Sequence, residues 1–61
     1  MKVKQLLEFM SDETGFYVRT EEMTHAYYSD YDQTLGLYHD QTIQSISATG
    51  EDMIYLVLYE E

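Results

Sequence analysis

The sequence predicts an α+β domain: one short N-terminal helix packed on a mostly antiparallel sheet of about four strands. Apolar residues recur at helical spacing near the N-terminus, at Val3, Leu6, Leu7 and Met10. Beyond them the runs are rich in aromatic and β-branched residues. Two of these, 42–48 and 53–59, are separated by Thr49-Gly50-Glu51-Asp52, a loop of hairpin length. The 61 residues (1–61) make a single small domain, because a chain this short buries only about 60% of the surface it exposes when unfolded.

The helix is expected over about Lys2 to Ser11. Its charges oppose the macrodipole, with Lys2 and Lys4 at the positive end and Asp12 and Glu13 just past the negative end. A helix of this length is marginal in water, so its apolar stripe must be held by docking. Thr14-Gly15 supplies the stop, Gly15 being free to take the left-handed conformation that commonly ends a helix. Phe16 to Thr20 then reads as a strand, Glu21-Glu22-Met23 as a turn, and Thr24 to Tyr31 as a second strand closing a hairpin. On that second strand Ala26 and Tyr28 share one face, and His25, Tyr27 and Ser29 the other. Asp30 to Asp40 mixes acids, Gln, Thr and Gly36 with Leu35, Leu37 and Tyr38, and reads as a connection with room for a single helical turn.

The last strand is apolar on both faces, with Ile54, Leu56 and Leu58 on one and Met53, Tyr55, Val57 and Tyr59 on the other. A strand covered on one side only alternates with polar residues, so this one is expected to be central with its second face packed too. One short helix covers one face. A second copy of the chain is therefore expected on Met53, Tyr55, Val57 and Tyr59, making a homo-oligomer.

Composition narrows the functional classes. Three basic residues against twelve acidic ones give a net charge of -9. Only Lys2, Lys4 and Arg19 could contact phosphates, so neither direct nucleic-acid binding nor an anionic membrane surface is expected. The charge steers the chain instead toward basic surfaces, among them the nucleic-acid grooves of other proteins. No apolar run approaches the roughly 20 residues that span a bilayer, and no secretory leader is recognisable, so a soluble cytoplasmic protein is expected. With 44% apolar residues, seven Tyr and two Phe, the chain is too hydrophobic for a disordered acidic tail.

The sequence carries no complete catalytic or metal-binding signature. Cysteine is absent, which excludes thiol catalysis, disulfides and thiolate zinc sites. His39-Asp40 is a formal acid-base pair, but on an extended segment adjacent side chains point to opposite sides, and no motif places a nucleophile. Asp30-x-Asp32-x-Thr34 matches the first positions of a calcium loop, yet the required Gly and Glu positions hold Leu35 and Gln41. No enzyme activity, cofactor or metal is expected.

Seven tyrosines exceed what a small core can satisfy, since each buried phenol needs a hydrogen-bond partner. Tyr interleaved with acids, as in Tyr27-Tyr28-Ser29-Asp30-Tyr31-Asp32, has the make-up of an interface. The partner-binding residues expected are Glu21, Glu22, Tyr27, Tyr28, Asp30, Tyr31, Asp32, Tyr38 and Asp40. The competing reading is that Tyr fills a pleated sheet while its hydroxyl reaches water, and that the acids serve only solubility.

Val3-Lys4-Gln5-Leu6-Leu7, Ile43-Gln44-Ser45-Ile46-Ser47-Ala48 and Ile54-Tyr55-Leu56-Val57-Leu58 together resemble a kind of small open reading frame found in phages and prophages of Gram-positive bacteria. Such proteins open with a V-K-x-L-L helix and close in an I-x-S-I-S-A, loop, I-x-L-x-L hairpin. The resemblance implies a phage accessory role, and small acidic phage proteins include anti-CRISPR and anti-restriction inhibitors that cover or imitate a nucleic-acid site. The expectation is a noncatalytic inhibitor of a host defence protein; the alternative is a structural or assembly accessory whose acidity serves only solubility.

Overall fold

Alternation along two strands builds the core. The computed structural model describes residues 1–60 and contains α1 (Val3–Leu7), β1 (Gly15–Thr20), β2 (Tyr27–Ser29), α2 (Tyr31–Tyr38), β3 (Ile43–Gly50) and β4 (Met53–Leu58). β1 and β4 lie parallel at the centre, with Phe16 beside Ile54 and Val18 beside Leu56. The antiparallel hairpins β1–β2 and β3–β4 extend outward, giving the order β2-β1-β4-β3. The fold is thus α+β, with a four-stranded sheet whose one parallel pair joins two hairpins. β4 is central, as its double apolar character predicts.

Both helices cover the same face of the sheet. Val3, Leu6 and Leu7 of α1 join Phe16, Val18, Leu56 and Leu58 in one buried cluster, with Met10, Tyr31, Tyr38, Ile43 and Ile54 packed around it. α1 is shorter than its periodicity predicts, because after Leu7 the chain tightens: Phe9 and Met10 donate to the carbonyls three residues back, on Leu6 and Leu7. Gly15 does not act as the left-handed stop, since no glycine has positive φ. Its role is close approach: a Cβ there would lie 2.8 Å from Met53 Sδ and 3.0 Å from Tyr28 Cε1.

The connection after β2 holds a full two-turn helix rather than a single turn. Asp30 is its N-cap, accepting from the Gln33 N–H at 2.8 Å. Thr34, fully buried, donates from its Oγ1 to the Asp30 carbonyl, and a second short contact of 2.7 Å joins it to the buried Ser29 hydroxyl. The Tyr31 hydroxyl donates to the Leu7 carbonyl at 2.9 Å, a second donor beside the Met10 N–H, and ties the two helices together. Tyr31→Phe should therefore lower stability by about 0.5–1.5 kcal/mol. Urea denaturation checks this, and no change would show that water replaces the bond at no cost.

The β3–β4 turn is tighter than the four-residue loop the sequence predicts, with Glu51-Asp52 alone between the strands. Asp52 sits at φ 58, a left-handed conformation that costs most L-residues about 1–2 kcal/mol and that Asp tolerates better than most. Asp52→Gly is expected to raise the melting temperature by a few degrees, since about 1 kcal/mol shifts a domain of this size by about 4–8 °C. A fall in melting temperature would mean that the Asp52 side chain contributes more than its backbone strain removes.

Candidate functional site: the open face of the sheet

The face away from the helices carries the aromatic surface. Register places Tyr17 of β1 between Tyr28 of β2 and Tyr55 of β4, with Met53 beside Gly15 and Val57 beside Arg19. Tyr17 and Tyr28 meet edge to face, ring centroids 6.0 Å apart, an arrangement the aromatic quadrupole favours. The absence of a side chain at Gly15 leaves room for Tyr28 and the Met53 sulfur above it. Tyr17 and Tyr28 remain 40% and 58% exposed, so this ring pair is available to a partner.

The lower half of the same face is closed by the chain itself. The Arg19 Nε donates to the Tyr55 hydroxyl at 3.0 Å, and its Nη1 donates to the carbonyls of Thr20 and Met23, each at 3.1 Å. Three of the five N–H groups of that guanidinium are thus given to internal acceptors. Val57, between Arg19 and Ser45 in register, is only 4% exposed. The expectation that a second copy must cover the middle of β4 is corrected here: Val57 is buried within one chain. Of the other residues assigned to self-association, Met53 and Tyr55 are half-buried and Tyr59 is exposed beyond the end of β4.

The predicted partner-binding residues do not form one patch. Tyr27 and Tyr28 are exposed on the edge strand β2, but on opposite faces of the sheet, since Tyr28 pairs with Tyr17 and Tyr27 with Val18. Tyr31 and Tyr38 pack against the core and are not free anchors. Asp30 caps α2, so its carboxylate already has a partner. Asp32 is exposed in the first turn of α2. Glu21 accepts from Gln44 Nε2 and from the Glu60 N–H, and with Glu22 it follows the last residue of β1. Asp30 and Asp32 lie near its first residue, as Phe16 pairs with Ser29. Six residues of strand, about 17–20 Å, separate the two groups.

Asp40 belongs with neither tyrosine group. It receives Lys4 Nζ at 3.5 Å and His39 Nε2 at 3.1 Å, on the surface where α1 begins and α2 ends. His39 and Asp40 therefore do touch, contrary to the expectation from an extended segment, because His39 is the helical C-cap of α2. Both are solvent-exposed. No cluster of three or more acidic or histidine side chains is arranged for a metal among the described residues. No helix among them is long and apolar enough to cross a membrane.

What the topology does assemble is a charge asymmetry that pairwise sequence reading missed. Because β1 and β4 are parallel, the loops entering both strands lie at one end, and β2 delivers the start of α2 to that same end. Asp12, Glu13, Asp30, Asp32, Glu51 and Asp52 gather there. All three cations lie toward the opposite end: Lys2 and Lys4 near Asp40, and Arg19 one residue from the end of β1. The signal was the parallel register, which no short-range pattern carries. Comparison with protein-family models, curated proteins and solved structures finds no match to this chain.

Proposed function

We propose that this chain is a noncatalytic binding protein that lays its Tyr17–Tyr28 surface on the basic groove of a nucleic-acid-binding protein and occludes it. The observation that carries the reading is an exposed aromatic pair on the open face of the sheet, between its acidic end and Arg19, whose guanidinium is bonded to the chain itself. Rigid amphipathic rings bury area at little entropic cost, and the carboxylates in the loops at the start of β1 and β4 match a surface built to hold phosphates. The helix-covered face, by contrast, is committed to the core. Together with the resemblance to small phage proteins, this supports the reading of the chain as a phage-encoded inhibitor of a host defence protein, acting in the host cytoplasm as a partial nucleic-acid mimic.

The test compares capture by the wild-type chain with capture by Tyr17→Ser/Tyr28→Ser, using host lysate and mass spectrometry, followed by competition with duplex DNA and with RNA. The reading expects a nucleic-acid-binding protein that the double variant loses and nucleic acid displaces. Capture that is insensitive to both points instead to a structural or assembly accessory whose acidity serves solubility.

A further inference from the structure

The outer edge of β3 is an unprotected pairing surface. β3 is the longest strand and lies at one side of the sheet, with every residue from Gln44 to Gly50 exposed. Ile43 to Gly50 contains no Lys, Pro or acid, the residues that natural proteins place on edges to prevent strand addition. The other edge, β2, is three residues long and offers little to pair with. The two short helices leave the outer side of the sheet bare, so Ile46 is 43% exposed although it lies beside the buried Leu56.

One end of this edge is already occupied. The Ile43 N–H donates to the Met1 carbonyl and the Val3 N–H to the Gln41 carbonyl, so the first residues of the chain form a short ladder on the outer side of 41–43. A strand added beside β3 must therefore begin at Gln44. For a second copy in antiparallel orientation the same stop applies at both ends. With Gln44 as the limit at each end and Gly50 as the last residue of β3, the register that pairs the whole free edge sets 44 against 50, 45 against 49 and 46 against 48, centred on Ser47, which meets its own counterpart.

We infer that a second copy of this chain occupies the edge, the two β3 strands pairing antiparallel about Ser47 into one continuous eight-stranded sheet. Charge complementarity favours a copy over an unrelated strand despite the net charge of -9. The paired stretch itself is uncharged, and the two-fold arrangement brings the Glu51-Asp52 turn of one chain beside Lys2 of the other. Lys2 is bridged to Thr42 at the start of β3, and its ammonium has donors beyond the one given to the Asp40 carbonyl. The pairing leaves Tyr17 and Tyr28 on the open face and does not depend on their having a partner. It replaces the face-to-face contact expected from β4 with a contact through the strand next to it.

The chain has no cysteine, which makes the register directly testable. Antiparallel partners have Cα atoms about 4.5–5.5 Å apart, within the 4.4–6.8 Å range of disulfides. Ser47→Cys should give a covalent dimer under mild oxidation at least tenfold faster than Leu37→Cys, whose site is also exposed but lies on α2. In sedimentation equilibrium the wild-type chain should be dimeric at tens of micromolar rather than a 7.2 kDa monomer. Lys2→Glu and Glu51→Lys should each weaken the dimer, and the double exchange should restore it. Equal cross-linking rates at Ser47 and Leu37, or a wild-type monomer throughout, would overturn the inference.

Discussion

Phe16→Ala is expected to unfold most of the population. Phe16 has no exposed surface, heads the buried side chains by size, and stands between Ser29 and Ile54 on the helix-covered face. Truncating a buried Phe typically costs about 3–5 kcal/mol, through lost transfer energy and the cavity left behind. At about 0.05–0.15 kcal/mol per residue, a domain this size has only about 3–9 kcal/mol in total. No disulfide holds the chain when that core weakens. Thermal and urea denaturation read the result, with Leu37→Ala as the control: Leu37 is 61% exposed, and its loss should stay within about 0.5 kcal/mol. A cost below about 1 kcal/mol at Phe16 would mean that the core is not where these contacts place it.

The second large effect is on binding rather than folding. Replacing both Tyr17 and Tyr28 with Ser forfeits their mutual edge contact, worth about 0.5–1.5 kcal/mol, and the packing of their covered surface, but opens no cavity in the core, so the variant should still fold. Aromatic anchors at an interface commonly contribute 2 kcal/mol or more each. Losing both should raise the dissociation constant at least about 100-fold, although two adjacent anchors need not add. Reversing Asp12 and Glu51 to Lys should act differently. Those carboxylates steer encounter across a screening length of about 8 Å, so the association rate should fall and lose much of its salt dependence, with dissociation changing less. Asp30→Lys is a poor probe of the same idea, because it removes the α2 N-cap. If the Tyr variant folds and binds like wild type, the open face is not the docking surface.

Local patterns announced much of this fold. The spacing of Val3, Leu6 and Leu7 gave the buried side of α1, and the unbroken apolar run through Leu56 correctly placed β4 at the centre of the sheet. The second helix was also legible, in Asp30 with Gln33 three residues on, a capping signature that the polar residues and Gly36 obscured. The parallel pairing of β1 with β4 joins residues nearly forty positions apart, and nothing within either segment encodes it. That pairing gathers Glu51 with Asp12 at one end of the sheet, while the antiparallel β1–β2 pairing brings Asp30 and Asp32 to the same end and leaves Glu21 and Glu22 at the other. The same distance explains the site residues. Tyr31 and Tyr38 read as surface anchors because they stand among acids, whereas α2 turns both toward the core. Tyr17 read as an ordinary strand residue, and only its register opposite Tyr28 makes it half of the exposed pair.

Central to the account is the docking of the open aromatic face on a groove that otherwise holds nucleic acid. The most direct measurement is the affinity of the captured partner for wild-type chain and for Tyr17→Ser/Tyr28→Ser, each with and without saturating nucleic-acid ligand of that partner. The account predicts tight binding by wild type alone, abolished when the nucleic-acid site is filled. Undiminished binding of the wild-type chain to the filled partner, or equal binding by the Tyr variant, would contradict it.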